Sequence, residues 1–475
     1  MSLWRDRFTS GALLAVLALS PAAAWAQTTQ LPVPPQTPPS GAPTLVVPPV
    51  PAVPTITGGV PLSLADAVAA ALQRNFTIRL QALQVLIAQS QVAQAEAGVL
   101  PKVTMTGTYN DVFQQSPPNP ITINVNGTPV TFTLPQSPNP LYTFGLTLAY
   151  PLYSGGALQD QIAIARANYA GSQAQLLATT AQVVLQVRQA YYQVQLAQGQ
   201  VAAAQRAVDA ARENVRVTEA RVRVGSSPQF DLLQAQAQLA QFEQSLTQAK
   251  ANAVQAQENL DIVVNQPQTT VVSTTTPLGL PQPPQDQESL VAMALRSRPE
   301  LVASQAAIRA QQAGVDLAAA GLRPTVTISG GGAVQTGDPT AKFPVNWNGM
   351  ITAAWAIWDG GLTPAKVDQA RQQLAVSQTQ DAQLRQTVEQ QVRSAYLSLQ
   401  NSAETLRSAL SQLVAAREQL RIANVRFAAG VGTQLEVVQA EQTLATADLA
   451  VVQAQYNYNL AIAQIDQATG TQVKF

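Results

Sequence analysis

Apolar side chains recur every seven positions along six stretches of the chain. The longest reads Val187, Val194, Val201, Val208, Val215 and Val222, and Ala190, Ala197, Ala204, Ala211 and Thr218 follow the first five at three residues' distance. Another carries Val392, Leu399, Leu406, Leu413, Leu420 and Phe427, with Ala395, Ser402, Ala409, Ala416 and Ala423. Shorter stretches show the same period from Ile78 to Val99, Leu301 to Leu322, Leu232 to Leu260 and Val437 to Ile465. A strict repeat of seven predicts helices that wind into a left-handed supercoil, and alanine in alternate seam positions lets them approach closely. The longest helix is expected from about Ala157 to Val224, a span of roughly 100 Å at about 1.5 Å per residue. Its flanking positions hold Gln and Ala where a soluble coiled-coil rod would carry charges, which suits a helix packed on two sides in a helical wall.

Other segments alternate with a period of two. Val103, Met105, Gly107 and Tyr109 interleave with Thr104, Thr106, Thr108 and Asn110, and Phe144, Leu146, Leu148, Tyr150 and Leu152 interleave with Gly145, Thr147 and Ala149. Val326 and Ile328 begin a third strand, and a fourth is expected from Trp347 to Trp358. Strands of about 9–11 residues suit a tilted membrane crossing. Tyr150, Tyr153, Trp355 and Trp358 gather at strand ends, as interfacial aromatic girdles do. Four strands cannot close a barrel, and lipid does not tolerate open edges, so oligomerisation is expected. A dimer, trimer or tetramer would supply 8, 12 or 16 strands, and periodicity does not choose among them. Asn126-Gly127, inside the 112–142 loop and between alternating segments, predicts a hairpin turn.

The two halves of the chain match each other. Leu100-Pro-Lys-Val-Thr-Met-Thr-Gly107 returns as Arg323-Pro-Thr-Val-Thr-Ile-Ser-Gly330, 223 residues on. Tyr150-Pro-Leu-Tyr-Ser-Gly-Gly156 returns as Trp355-Ala-Ile-Trp-Asp-Gly-Gly361, 205 residues on. Arg212, Glu213, Arg216 and Arg221 then fall on Arg417, Glu418, Arg421 and Arg426 at the same 205 offset. The expected organisation is a first repeat over 62–264, a linker over 265–287 and a second repeat over 288–475. Each repeat reads helix, strand, strand, long helix, tight turn, helix.

Residues 1–26 have the make-up of an export signal: Arg5 and Arg7, the apolar run 11–19, and Ala24-Trp25-Ala26 as a cleavage site. Residues 27–61 hold 11 prolines in 35 positions and are expected to be an extended spacer. No later stretch reaches 18 consecutive apolar residues. The 475 residues contain no His and no Cys, with 27 basic and 27 acidic side chains. That removes His- or Cys-based nucleophiles, thiolate and HExxH metal sites, and disulfides. The sparse, balanced charge argues against nucleic acid as a partner. No enzyme activity, cofactor or metal is expected. The low charge points to a surface that meets lipid or other subunits.

This plan resembles the TolC family of outer-membrane efflux proteins. The resemblance rests on the Leu-Pro-x-Val strand start, the Tyr-Pro-Leu-Tyr-Ser-Gly-Gly strand exit and Gly430-Val-Gly-Thr-Gln-Leu-Glu-Val-Val-Gln-Ala440, and covers about residues 62–470. It implies a mainly α chain with membrane β: a homotrimer whose 12-stranded β-barrel in the outer membrane continues as a coiled-coil α-barrel through the periplasm. It also implies passive export of small molecules or proteins, driven by an inner-membrane pump through a periplasmic adaptor. By resemblance, the turns at Gly225-Ser226 and Gly430-Val431-Gly432-Thr433, with Arg221 and Arg426, are adaptor-contact tips. Asp231 and Glu436 would line the periplasmic aperture, although acids in a helix's first turn are also favoured by its dipole. Phe427, Gly432 and Gln439 depart from the family pattern of a tyrosine, an arginine and a second acid, so the family's closing links cannot form in the same way. A coiled-coil scaffold without a conducting role is the alternative reading.

Overall fold

The computed structural model describes residues 60–111, 120–125, 127–133, 141–267, 272–274, 286–336 and 345–471. The expected signal at 1–26 and the Pro-rich stretch as far as residue 59 lie outside the described residues. The described residues open with a short strand β1 (Val60–Leu62), then α1 (Leu64–Arg74) and α2 (Phe76–Ala97). Strands β2 (Lys102–Asn110), β3 (Pro120–Val125), β4 (Thr128–Thr133) and β5 (Leu141–Tyr153) follow. Next come α3 (Ala157–Arg223), α4 (Gln229–Val264) and β6 (Val272–Thr274). The remainder is α5 (Gln287–Ser297), α6 (Pro299–Ala319), β7 (Thr325–Thr336), β8 (Asn346–Ala354), α7 (Leu362–Ala428) and α8 (Gln434–Thr469).

Helices α3 and α7 are each 67 residues long, roughly 100 Å. Both start after a Gly-Gly pair in which both residues have positive φ. The sevenfold positions form the seams. Val187, Val194 and Val208 are buried on α3, and Val392, Leu399, Leu406 and Phe427 on α7. On α8, Ala440, Ala447, Ala454, Ala461 and Ala468 recur every seven residues and are all buried.

Helix α3 runs through the middle of a helical layer. Its first half lies between α2 and α6, where Arg166 pairs with Glu96 at 2.6 Å and Gly171 sits against Ala303 and Ala306. Its second half lies between α4 and α8. Helix α7 packs on α6 and α8 and leaves its opposite flank uncovered among the described residues, with Leu397, Val414 and Val425 exposed. The other margin of the layer is formed by α2 and α4, where Phe76, Leu80, Val254 and Ile262 are exposed.

Strands β2, β5, β7 and β8 form one antiparallel sheet in that order, so β2 and β8 are its edges. The Asn-Gly hairpin forms as expected: β3 pairs with β4, and Gly127 has φ +83°.

Two expectations needed correction. The first helix of each half is broken in two, at Asn75 and at Arg298-Pro299. Asn75 Oδ1 accepts from Thr77 and Ile78 N–H to start α2, and Pro299 sits at the first position of α6. Between the end of the Pro-rich stretch and the linker, β1 pairs in parallel with β6. The fourth strand ends at Ala354 and not at Trp358, since β8 has a strand neighbour on one side only.

Candidate functional site

The pairing register sorts the sheet's side chains by chemistry. Val103 lies opposite Leu148, Met105 opposite Leu146, Tyr150 opposite Ile328, and Ile328 opposite Ile351. This face is apolar and exposed: Val103, Met105, Phe144, Leu146, Leu148 and Ile351 all face outward uncovered. The opposite face carries Thr104, Thr106 and Thr108 on β2, Thr143 and Thr147 on β5, Thr327 and Ser329 on β7, and Asn348 and Thr352 on β8. An exposed apolar band backed by a hydroxyl- and amide-lined face is stable where one side meets lipid and the other water. Tyr150 and Tyr153 lie among the last residues of β5, partly buried and exposed respectively. Trp355 and Trp358 lie just beyond β8, and Trp355 Nε1 donates to Leu322 O at 3.0 Å.

At the far end of the long helices, two turns reverse the chain. Gly225 and Gly430 both have φ +75°, and Ser226 N–H and Oγ both donate to Arg221 O. Val431 stands exposed at the second turn. Thr433 Oγ1 accepts from Glu436 N–H, capping α8. A Cβ at Gly432 would stand 3.0 Å from both Arg426 Cβ and Phe427 N, so any side chain there crowds the end of α7.

The two equivalent arginines do different things. Arg221 crosses from the first hairpin to the second, donating from Nη1 to Phe427 O at 2.8 Å and from Nη2 to Ala428 O at 3.2 Å. Its guanidinium carbon lies 4.3 Å from the centre of the Phe427 ring. It therefore caps the C-terminus of α7 while stacking on it. Arg426 stays within its own hairpin, 3.3 Å from Glu436 Oε2 and 3.4 Å from Val431 O. Asp231 lies partly exposed in the first turn of α4 and joins no ion pair among the described residues. Gln439 is exposed on α8.

Between the tips and the sheet, α3 and α8 meet through a ladder of polar side chains. Arg188 pairs with Asp466 at 2.6 Å and Arg206 with Asp448 at 3.2 Å. Asn214 Nδ2 donates to Glu441 Oε2 at 3.3 Å and accepts at Oδ1 from Gln434 Nε2 at 3.0 Å. Thr218, fully buried, donates to Asn214 and Gln434. Burial pushes the Glu441 carboxyl up to about 7, against the opposing effect of the Asn214 hydrogen bond. A cavity of about 130 Å³ lies beside this ladder, bordered by Ala203, Phe242, Arg417, Leu420, Glu441 and Asp448. Apolar heptads alone do not mark this ladder. Its signal was Gln434, Glu441 and Asp448, polar residues at the same sevenfold spacing as the apolar seam.

A single antiparallel sheet with one lipid-compatible face, continued by paired helices of roughly 100 Å, is the build of an outer-membrane channel subunit. The family model "Outer membrane efflux protein" matches residues 67–266 and 290–471, and the chain belongs to that family. It is 31% identical over 185 residues to Protein CyaE of Bordetella pertussis and 24% identical over 182 residues to Nodulation protein T of Rhizobium leguminosarum bv. trifolii. Each match spans 38% of the relative's length and 38% or 37% of this chain. Among solved structures, the outer-membrane channel OprN superposes with a TM-score of 0.72 at 23% identity, over 86% of this chain and 89% of its own. CusC gives 0.73 at 19% identity over 92% and 99%. The open state of Neisseria gonorrhoeae MtrE gives 0.70 at 20% over 86% and 88%.

Proposed function

We propose that three copies of this chain assemble into one tube, a 12-stranded barrel in the outer membrane continued by a helical barrel in the periplasm. Each copy contributes two structurally equivalent repeats. The observation that carries this reading is the sheet: four strands with two open edges, an apolar exposed face and a polar one. Such a sheet is viable in lipid only when other strands close its edges. The tube conducts passively. Cargo, small molecules or proteins, would be delivered by an inner-membrane pump through a periplasmic adaptor that docks on the tips around Arg221, Gly225, Ser226, Arg426 and Gly430–Thr433. Asp231 and Glu436 lie in the first turns that follow those tips and would face the aperture. Detergent extraction from outer membranes should give a trimer, and reconstitution into planar bilayers should give discrete conductance steps. A monomeric periplasmic protein without conductance overturns the proposal. Crosslinking from Val431 or Ser226 in cells identifies the adaptor.

A further inference from the structure

The cavity beside the α3–α8 ladder carries charge that its own ion pairs do not balance. Arg206 of α3 and Arg417 of α7 both reach toward Asp448 of α8, so two guanidiniums share one carboxylate. The Asp448 side chain is only 10% exposed; Arg206 holds it at 3.2 Å, and Arg417 stands off at 3.7 Å. Arg417 donates no hydrogen bond among the described residues. A guanidinium is a planar fork of N–H donors matched to a carboxylate, and that of Arg417 is unused. Its counterpart Arg212, 205 residues earlier, has an acid of its own in Glu243 at 2.9 Å. Glu441 also borders the cavity, buried, with one oxygen accepting from Asn214. Burial keeps its carboxyl protonated up to about 7, so at pH 6 the cavity sets two cations against one anion.

The rest of the wall is apolar, with Phe242 from α4, Leu420 from α7 and Leu444 from α8. Its volume of about 130 Å³ is close to the roughly 150 Å³ at which an apolar cavity takes up benzene. Both arginines are more than half exposed and Phe242 is buried, so the charge stands at the opening and the apolar wall behind it. The repeat does not produce this chemistry twice. At the 205 offset, Arg206, Phe242 and Glu441 fall on Ser411, Ala447 and Gln236.

We propose that this cavity binds a small single-ring carboxylate, with its ring against Phe242, Leu420 and Leu444 and its carboxylate across Arg417 and Arg206. A neutral arene would leave the guanidinium fork unused, and an inorganic anion would leave the apolar wall uncovered. An amphipathic anion meets both. Bound there, it ties α3 of the first hairpin to α7 of the second. The site lies within one chain and does not depend on the trimeric reading above.

In the full chain purified in detergent at pH 6, fluorine NMR of para-fluorobenzoate should show saturable broadening that excess benzoate reverses. Benzamide, the same shape without the charge, should compete about tenfold less well. Arg417→Gln should weaken binding about tenfold, and Leu444→Trp, which fills the space, should abolish it. Arg212→Gln removes the matching cation outside the cavity and should leave binding unchanged. Arg417 is exposed and loosely paired, so its variant should keep wild-type helicity by circular dichroism. Absence of saturable broadening in the wild type overturns the proposal. So does equal affinity in Arg417→Gln, binding that survives Leu444→Trp, or benzamide competing as well as benzoate.

Discussion

Arg221 grips the end of the neighbouring hairpin by the backbone carbonyl of Phe427, 2.8 Å from Nη1, while its guanidinium lies over the same residue's ring. One side chain thus satisfies two C-terminal carbonyls of α7 and stacks on its last buried aromatic. Charge-assisted hydrogen bonds of this kind contribute about 1.5–3 kcal/mol when shielded and less when partly exposed, as here. Arg221→Ala should therefore separate the two hairpin tips and raise conductance in planar bilayers. Phe427→Leu keeps both carbonyl bonds and loses only the ring, so its effect should be smaller. Equal conductance in wild type and Arg221→Ala would show that this grip does not restrain the tips.

The ladder between α3 and α8 should be sensitive to pH through Glu441. Burial raises its carboxyl from the ordinary 4.5 to about 7, so the folded chain holds a proton that the unfolded chain has already lost. The stability gained from that proton is full below about pH 4.5 and is lost as pH rises through about 7. Glu441→Gln keeps the acceptor for Asn214 and cannot ionise. It should match wild type in thermal melts at pH 4.5 and exceed it at pH 8, by on the order of 2 kcal/mol. A constant difference across that range would assign the titration elsewhere.

The glycines of the second tip should fail for different reasons. Gly430 has φ +75° and open space around a Cβ, so Gly430→Ala should cost about 1 kcal/mol of backbone conformational energy. Gly432 lacks that positive φ, and a Cβ there meets Arg426 Cβ and Phe427 N at 3.0 Å. Gly432→Ala should cost about 1–3 kcal/mol through crowding, and Gly432→Arg should not recreate the family's arginine link. Thermal melts of the three variants should separate the two causes.

What could be read from the sequence was what repeats. Sevenfold spacing located α3, α4, α7 and α8, and alternation located the four sheet strands, because both periods are imposed by one-sided burial along the chain. The Arg298-Pro299 break was legible as a proline at a helix start, immediately before the apolar heptad that begins at Leu301. Asn75 carries no such flag, since its capping role depends on Thr77 and Ile78 turning back to it. The Arg221–Phe427 contact joins residues 206 apart in the chain. The sequence marks both positions, but only the packing of α3 beside the second hairpin makes them partners. The early end of β8 was not legible at all, because strand length there depends on a neighbour and not on its own alternation.

The two faces of the sheet should respond oppositely to the same charge. Leu146 lies on the exposed apolar face beside Met105, and Thr147, the next residue, lies on the polar face beside Thr104. If the apolar face meets lipid, Leu146→Arg should cost about 2–4 kcal/mol near the bilayer midplane and less toward the interfaces. It should reduce the amount of protein recovered from outer membranes. On the same reading Thr147→Arg places its guanidinium in water and should be recovered at wild-type levels. Three copies would then set three cations around the bore, lowering conductance for cations relative to anions, most visibly at low salt where screening is weak. Equal loss of both variants would mean that the two faces share one environment, which a membrane barrel does not allow.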